Sequence, residues 1–292
     1  MRPVLPLALA AAVVLAASPP PLFAKQDSVY GSVPLDDAWV ERALANPEND
    51  QGWDAQCSNE WNDGRLGYCE VRPFSYPRTP KIIAINGGQN SGMTVMGWDR
   101  DSVRVLYRVR TRARTEEKAR ALASEIQLEL ANGWLRPDGP SEQSKDLWWS
   151  VEMKVWVPRA SDLALETHNG PLAVRNVRGR MDLSSVNGPV SLVDLAGAVQ
   201  ARLQNGPLYV ALAGPRWDGT GLDAETDNGP LTLELPADYS ARLVTGTISG
   251  PRAFDYAIEE RPRQAWITTT LGKGGSQVRV VTTNGPFQIG ER

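Results

Sequence analysis

Asn169-Gly170-Pro171-Leu172, Asn187-Gly188-Pro189-Val190 and Asn205-Gly206-Pro207-Leu208 follow one another at intervals of 18 residues. The tetrad returns at Asn228-Gly229-Pro230-Leu231, after an interval of 23 that holds an insertion around Pro215 to Gly221, and again at Asn284-Gly285-Pro286-Phe287. An internal period near twenty residues is the mark of a solenoid. Aligned on the Asn, the flanking positions alternate. Four residues before it stand Leu165, Leu183, Ala201, Ala224 and Val280, and six before it Leu163, Met181, Val199, Leu222 and Val278. Three after it stand Leu172, Val190, Leu208, Leu231 and Phe287, and five after it Val174, Leu192, Val210, Leu233 and Ile289. Period-two alternation in a shared register predicts strands that stack their inward faces coil upon coil. The position just before the Asn holds His168, Val186, Gln204, Asp227 and Thr283, and is read as outward.

Asn-Gly by itself is a two-residue hairpin signal. Proline in the third place argues for a corner instead, because it has no N–H to donate across a hairpin turn and is tolerated at the first position of a strand. The corner residues are then Asn169, Gly170, Asn187, Gly188, Asn205, Gly206, Asn228, Gly229, Asn284 and Gly285. Their amides are placed to form a ladder up the stack. The competing reading is a meander of hairpins. A degraded copy, Asn90-Ser91-Gly92-Met93, with Ile83 and Ile85 before it and Val95 after it, starts the solenoid near Lys81.

Working outward, Thr115 caps a predicted helix over about residues 115–131, with Glu116 and Glu117 in its first turn. Ala119, Leu122, Ile126 and Leu130 form its apolar stripe, and Asn132-Gly133 is read as its end. The helix interrupts an otherwise all-β chain. Residues 71–292 are therefore expected to be one β-solenoid domain with a single strand path and one inserted amphipathic helix.

Residues 1–24 read as a signal peptide: Arg2, an apolar run from Val4 to Ala17, and small residues near Ala24. An N-terminal membrane anchor is the alternative. Its removal takes only Arg2 from 31 basic residues, against 34 acidic ones, and no second long apolar run follows. The mature chain is expected to be exported, to the periplasm, the cell surface or the medium, without a transmembrane segment. Its weak acidity gives no basic footprint for nucleic acid. Residues 25–70 read as an irregular segment with one short helix at 36–44. Cys57 and Cys69, the only cysteines, are expected to form a disulfide in an oxidising compartment. Trp53 and Trp61 belong to that polar, disulfide-pinned loop region and are candidates for contact with a partner.

Four stretches then carry a resemblance: Gly97-Trp98-Asp99-Arg100-Asp101-Ser102-Val103-Arg104-Val105, the predicted helix, the Asn-Gly coils, and Leu235-Pro236-Ala237-Asp238. Leu271-Gly272-Lys273-Gly274-Gly275 followed by Thr283-Asn284-Gly285 adds to them. Over about residues 70–290 the chain resembles the bacterial "putative adhesin" β-strand-repeat family, a domain of unknown function. Its near-constant corner proline departs from that family, where an acidic or small polar residue is common. The resemblance implies an extracytoplasmic β-solenoid and no established reaction.

Chemistry-bearing residues are sparse. Triad chemistry needs a base, and His168, the only histidine, occupies a variable outward position. Asp99 and Asp101 flank Arg100 beside Trp98 and read as a strand-to-strand turn with a surface ion pair. Gly272-Lys273-Gly274-Gly275 lacks the Ser/Thr of a phosphate loop and reads as a turn. Trp148, Trp149 and Trp156 are expected between helix and solenoid. No catalytic, cofactor-binding or metal residue is assigned, and no cofactor. The expectation is a non-enzymatic envelope or surface protein, adhesin-like, that binds or scaffolds an envelope polymer or protein. A carbohydrate-active β-helix enzyme and a component of an envelope-stress system are the alternatives.

Overall fold

The computed structural model describes residues 57, 66–76, 81–141, 144, 146–258 and 264–292. The expected signal peptide, the helix at 36–44, Trp53 and Trp61 lie outside the described residues.

Two ten-stranded sheets enclose one apolar core. Each regular coil gives one strand to each sheet: β8 (Asp162–Asn169) then β9 (Leu172–Arg175), β10 (Arg178–Asn187) then β11 (Val190–Val193), β12 (Ala196–Asn205) then β13 (Leu208–Ala211), and β14 (Gly221–Asn228) then β15 (Leu231–Leu235). The strand after each corner joins the first sheet, and the strand before it joins the second. All coil-to-coil pairings are parallel, with Asn169, Asn187, Asn205, Asn228 and Asn284 in one register row. Parallel pairing rules out the meander of hairpins. The inward residues are the predicted ones: Leu165, Leu183, Ala201, Ala224 and Val280 are all buried.

The corner works because its glycine has no side chain. Gly188 has φ +127°, and a Cβ there would lie 2.4 Å from the carbonyl oxygen of Gly170 in the coil before. Backbone contact at that distance leaves no room for any other residue. Behind the corner, Thr226 and Thr282 point inward and are buried, and each hydroxyl donates to a glycine carbonyl, Gly206 at 3.0 Å and Gly229 at 2.9 Å. Those hydrogen bonds let a polar group sit in the core without a desolvation penalty.

A second corner closes each coil. Asn176-Val177-Arg178-Gly179 and Asp194-Leu195-Ala196-Gly197 turn through left-handed Asn176 (φ +56°) and Asp194 (φ +54°). In the next coil Trp217, buried like Val177 and Leu195, donates its indole N–H to the carbonyl of Gly197 at 3.0 Å. The insertion before β14 thus carries a core residue.

Coil order departs from chain order at the C-terminal end. β16 (Ala241–Ser249), β17 (Arg252–Asp255) and β18 (Trp266–Leu271) are laid down first, and the last coil, β19 (Gln277–Asn284) and β20 (Phe287–Glu291), enters between β14–β15 and β16–β17. Ser249-Gly250-Pro251 is a further corner, since Ser249 is the register partner of Asn284. β18 pairs antiparallel with β16 and ends the second sheet.

The N-terminal end is built differently. β1 (Leu66–Ser75) pairs antiparallel with β4 (Arg104–Ala113), and β4 antiparallel with β7 (Leu147–Pro158), which pairs in parallel with β3 (Ser91–Trp98). β1 starts at Leu66, inside the segment expected to be irregular up to residue 70. The helix is shorter than its periodicity predicts: α1 covers Glu116–Ser124. β5 (Gln127–Ala131) and β6 (Trp134–Asp138) take the rest as an antiparallel hairpin, whose turn is Asn132 (φ +52°) and Gly133 (φ +83°). Positive φ at both central residues is what Asn-Gly supplies to a two-residue hairpin, so this one Asn-Gly pair is a hairpin turn and not a helix end. Thr115 caps α1, its hydroxyl accepting from the Lys118 N–H at 3.3 Å. Arg72 of β1 closes the other end by donating to the carbonyls of Ala123 and Ile126.

Candidate binding face

The outward side of the second sheet is a polar surface set by the repeat. β2 (Ile82–Asn86) and β6 extend it at one end, and β16 and β18 at the other. Register places Asp182, Gln200, Asp223 and Arg279 in one outward row, and Ser184, Arg202, Glu225 and Val281 in the next. Asp182, Ser184 and Gln200 are exposed.

Across these rows runs a chain of alternating charges. Arg202 donates to Asp223 Oδ2 at 2.7 Å, and Arg279 donates to Asp223 Oδ1 and to Glu225 Oε2, both at 2.7 Å. The Arg279 guanidinium lies 4.8 Å over the ring of Trp266, which pairs across from Gly246 and so reaches over a strand without a side chain. Burial pushes the Asp223 carboxyl up, but the hydrogen bonds from Arg202 and Arg279 outweigh it and hold it below its ordinary value. Burial likewise works against the charge on Arg279, and its bonds to Glu225 and Asp223 outweigh that. The carboxylate between two guanidiniums is a fixed anion that accepts hydrogen bonds, the opposite of a general acid poised near neutrality. Beside it an open groove of about 320 Å³ is lined by Arg180, Asp182, Gln200, Thr220, Asp223 and Gln277.

The edge of this face is the Asn ladder. Asn187 donates to Asn169 Oδ1 at 2.8 Å, and Asn205, Asn228 and Asn284 each donate to the preceding rung at 3.0 Å. Asn169 reaches Asn90 of the degraded copy at 3.4 Å. His168 stands exposed beside this edge. Among the described residues no group of three or more His, Cys, Asp or Glu is arranged to hold a metal ion.

Other residues singled out above fall elsewhere. Cys57 and Cys69 are bonded to each other. Asp99 pairs with Arg159 at 2.6 Å rather than with its neighbour Arg100, which stacks 4.9 Å over Trp98. Of the three tryptophans expected between helix and solenoid, Trp149 packs against the core. Trp148 meets Arg112, and Trp156 is buried in a separate cluster with Met96 and Leu106. Alternation decides this: Met153, Val155 and Val157 take the inward side of β7, which leaves Trp156 outward. The ion-pair chain itself was missed by reading only the apolar columns. Its signal lay in the columns five and three residues before each Asn, where Asp223 and Glu225 stand against Arg279 and Arg202.

No protein-family model matches this chain, and no curated protein does. Solved structures do. One is described as a "putative cell adhesion protein" from Clostridium sporogenes, 11% identical, with a TM-score of 0.39 over 77% of this chain and 100% of that one. Another is a "putative adhesin" from Bacteroides fragilis, 10% identical, with a TM-score of 0.33 over 77% of this chain and 97% of that one. A third is a "putative lipid binding protein" from Parabacteroides distasonis, 10% identical, with a TM-score of 0.30 over 75% of this chain and 96% of that one.

Proposed function

We propose that this chain is a non-enzymatic, adhesin-like protein of the bacterial envelope, which binds or scaffolds an envelope polymer or protein through the outward face of its second sheet. The observation that carries this reading is the ion-pair chain from Arg202 through Asp223 to Arg279, on a rigid sheet face beside the exposed Asp182 and Gln200. Parallel coils fix the spacing of these groups, so they present a pre-organised surface at little entropic cost. Asp223 and Glu225 are neutralised in place by Arg202 and Arg279, which suits recognition better than proton transfer. A cystine in the folded chain suits an oxidising compartment. Among the described residues no helix is long and apolar enough to cross a membrane. Trp53 and Trp61 are proposed as additional contacts.

The test is retention of envelope polysaccharide and envelope protein fractions on immobilised mature protein, compared with the double variant Asp182→Ala, Gln200→Ala. Both side chains are exposed, so the variant keeps the fold. Loss of retention supports the reading, and unchanged retention moves the site to another face. A parallel screen for depolymerisation of the same polysaccharides decides against the non-enzymatic reading if new chain ends appear.

A further inference from the structure

Asn-Gly occurs seven times in the chain, at Asn86, Asn132, Asn169, Asn187, Asn205, Asn228 and Asn284. This dipeptide is open to spontaneous deamidation, because glycine has no side chain to hinder attack by its own backbone nitrogen on the asparagine side chain before it. Attack needs that nitrogen free to lose its proton, and the side-chain amide free to swing over it. The fold grants both very unequally.

At the five corners the nitrogen is engaged. Gly170, Gly188, Gly206, Gly229 and Gly285 each donate their N–H to a carbonyl of the neighbouring coil, at 2.8–3.0 Å. The asparagine amides are tied rung to rung in the ladder. The backbone there is also crowded: a Cβ on any of these five glycines would lie 2.0–2.4 Å from a backbone oxygen of the adjacent coil. Asn86 is held in another way. Gly87 donates its N–H to the Glu166 carbonyl at 2.7 Å, and the Asn86 amide donates to Glu166 Oε2 at 2.7 Å while its oxygen accepts from the Gly88 N–H.

Asn132-Gly133 differs on every count. Both residues are exposed, in the two-residue turn between β5 and β6. Among the described residues, no hydrogen bond holds the Gly133 N–H or the Asn132 side chain. A Cβ on Gly133 would meet nothing within 4 Å. The reaction there balances with water as its one co-reactant. The Gly133 nitrogen gives its proton to solvent base and bonds to Asn132 Cγ, the Cγ–Nδ2 bond breaks, and ammonia leaves. Water then opens the cyclic imide. Breaking the new bond leaves aspartate, and breaking the original main-chain bond leaves isoaspartate.

Either product carries a carboxylate where the amide stood, and isoaspartate adds a carbon to the main chain of a turn built for two residues. The hairpin has little to spare. β6 meets β2 through only two register pairs, Ala84↔Trp134 and Ile85↔Leu135, the second of them buried. We propose that Asn132 is a spontaneous modification site, converted by water to aspartate and isoaspartate while the fold shields the other six Asn-Gly bonds, and that conversion loosens the β5–β6 end of the second sheet.

The full mature chain, incubated at mildly alkaline pH and followed by peptide mass spectrometry, tests this. We expect the amide-to-acid mass change to accumulate at Asn132 at least about tenfold faster than at any other Asn-Gly, and the seven rates to converge in denaturing urea. Comparable rates at Asn132 and the corners of the folded protein overturn the proposal. So does an Asn132 that converts in urea and not in the folded chain. Converted protein, separated by anion exchange, should show faster amide hydrogen exchange in β5 and β6 and unchanged exchange in β10 and β12. Equal exchange in β5 and β6 before and after conversion overturns the loosening.

Discussion

Asn284 donates its side-chain amide to Asn228 at 3.0 Å, although 56 positions separate the two in the chain. Ser249 lies far closer to Asn284 in sequence and occupies the other side of it. The final coil therefore completes both sheets from within: β14 and β15 keep an open edge until it arrives, and β16 and β17 have no parallel partner. Deleting residues 277–292 should strip β14–β15 of the neighbours on their open edge, leave β16–β17 without a parallel partner, and abolish cooperative unfolding of the C-terminal coils. Far-ultraviolet circular dichroism through a urea titration reads this. Phe287→Ala is the milder probe: Phe287 is buried edge-to-face against Phe254, with centroids 5.8 Å apart, and its loss should cost about 3–5 kcal/mol. A truncated chain with the parental midpoint would show that the inserted coil is dispensable.

The corner separates two kinds of residue that look equally fixed in sequence. Asn187→Ala removes two exposed amide bonds, to Asn169 and from Asn205, and should cost about 0.5–1.5 kcal/mol. Gly188→Ala places a methyl 2.4 Å from a backbone oxygen that cannot retreat without moving a whole coil. It should cost at least about 3 kcal/mol, combining a disfavoured backbone conformation with overpacking. Urea midpoints of the two variants check the ranking, and a Gly188→Ala protein as stable as Asn187→Ala would remove the steric account of the corner.

How much of this was legible follows from what holds each part together. The repeat was legible because each coil reuses one steric solution, so Asn, Gly, Pro and four apolar columns recur in register. Ser249-Gly250-Pro251 escaped because Ser replaces Asn and because the coil sits out of chain order, which no spacing reveals. Ile126 and Leu130 fell in helical phase with Leu122, and the hairpin turn at Asn132 and Gly133 ended the element either way, so periodicity alone favoured a longer helix. Val190 to Val193 and Leu208 to Ala211 are strands buried on both sides, and near-continuous apolar runs are their sequence signal. The charged rows of the second sheet were invisible for a different reason: an ion pair between coils depends on which strands become neighbours, and Arg279 reaches Asp223 only through the inserted coil.

Acid should weaken the charged face in a defined direction. The Asp223 pKa is lower in the folded chain than its ordinary value near 3.9, so its ion pairs add stability above that value and lose it as pH falls through the folded one. Asp223→Asn should be less stable than the parent at pH 7, with the difference vanishing as the pH drops toward 2. The carboxylate is partly open to solvent, so the effect is modest and shrinks in high salt. Urea midpoints of both proteins at the two pH values decide it. A gap that persists at the acid end would assign the loss to packing.

Leu183 and His168 give the sharpest contrast between an inward and an outward position on neighbouring strands. Leu183 is buried between Leu165 and Ala201, its register partners in the coils on either side. Leu183→Asp puts a carboxylate where no described cation faces it. The desolvation cost exceeds the stability of about 5–15 kcal/mol that holds a domain together, unless the group takes up a proton or the coil distorts. That variant should therefore fail to show a cooperative thermal transition at neutral pH. His168 occupies the exposed place before the corner, where other coils carry Val186, Gln204, Asp227 and Thr283. His168→Ala should melt within about 0.5 kcal/mol of the parent, as surface changes do, and should retain partner binding in full. Thermal melts of both variants beside the retention assay test the pair together. A His168→Ala protein that melts normally yet loses all retention would move the binding site from the Asp182 and Gln200 face to the ladder edge.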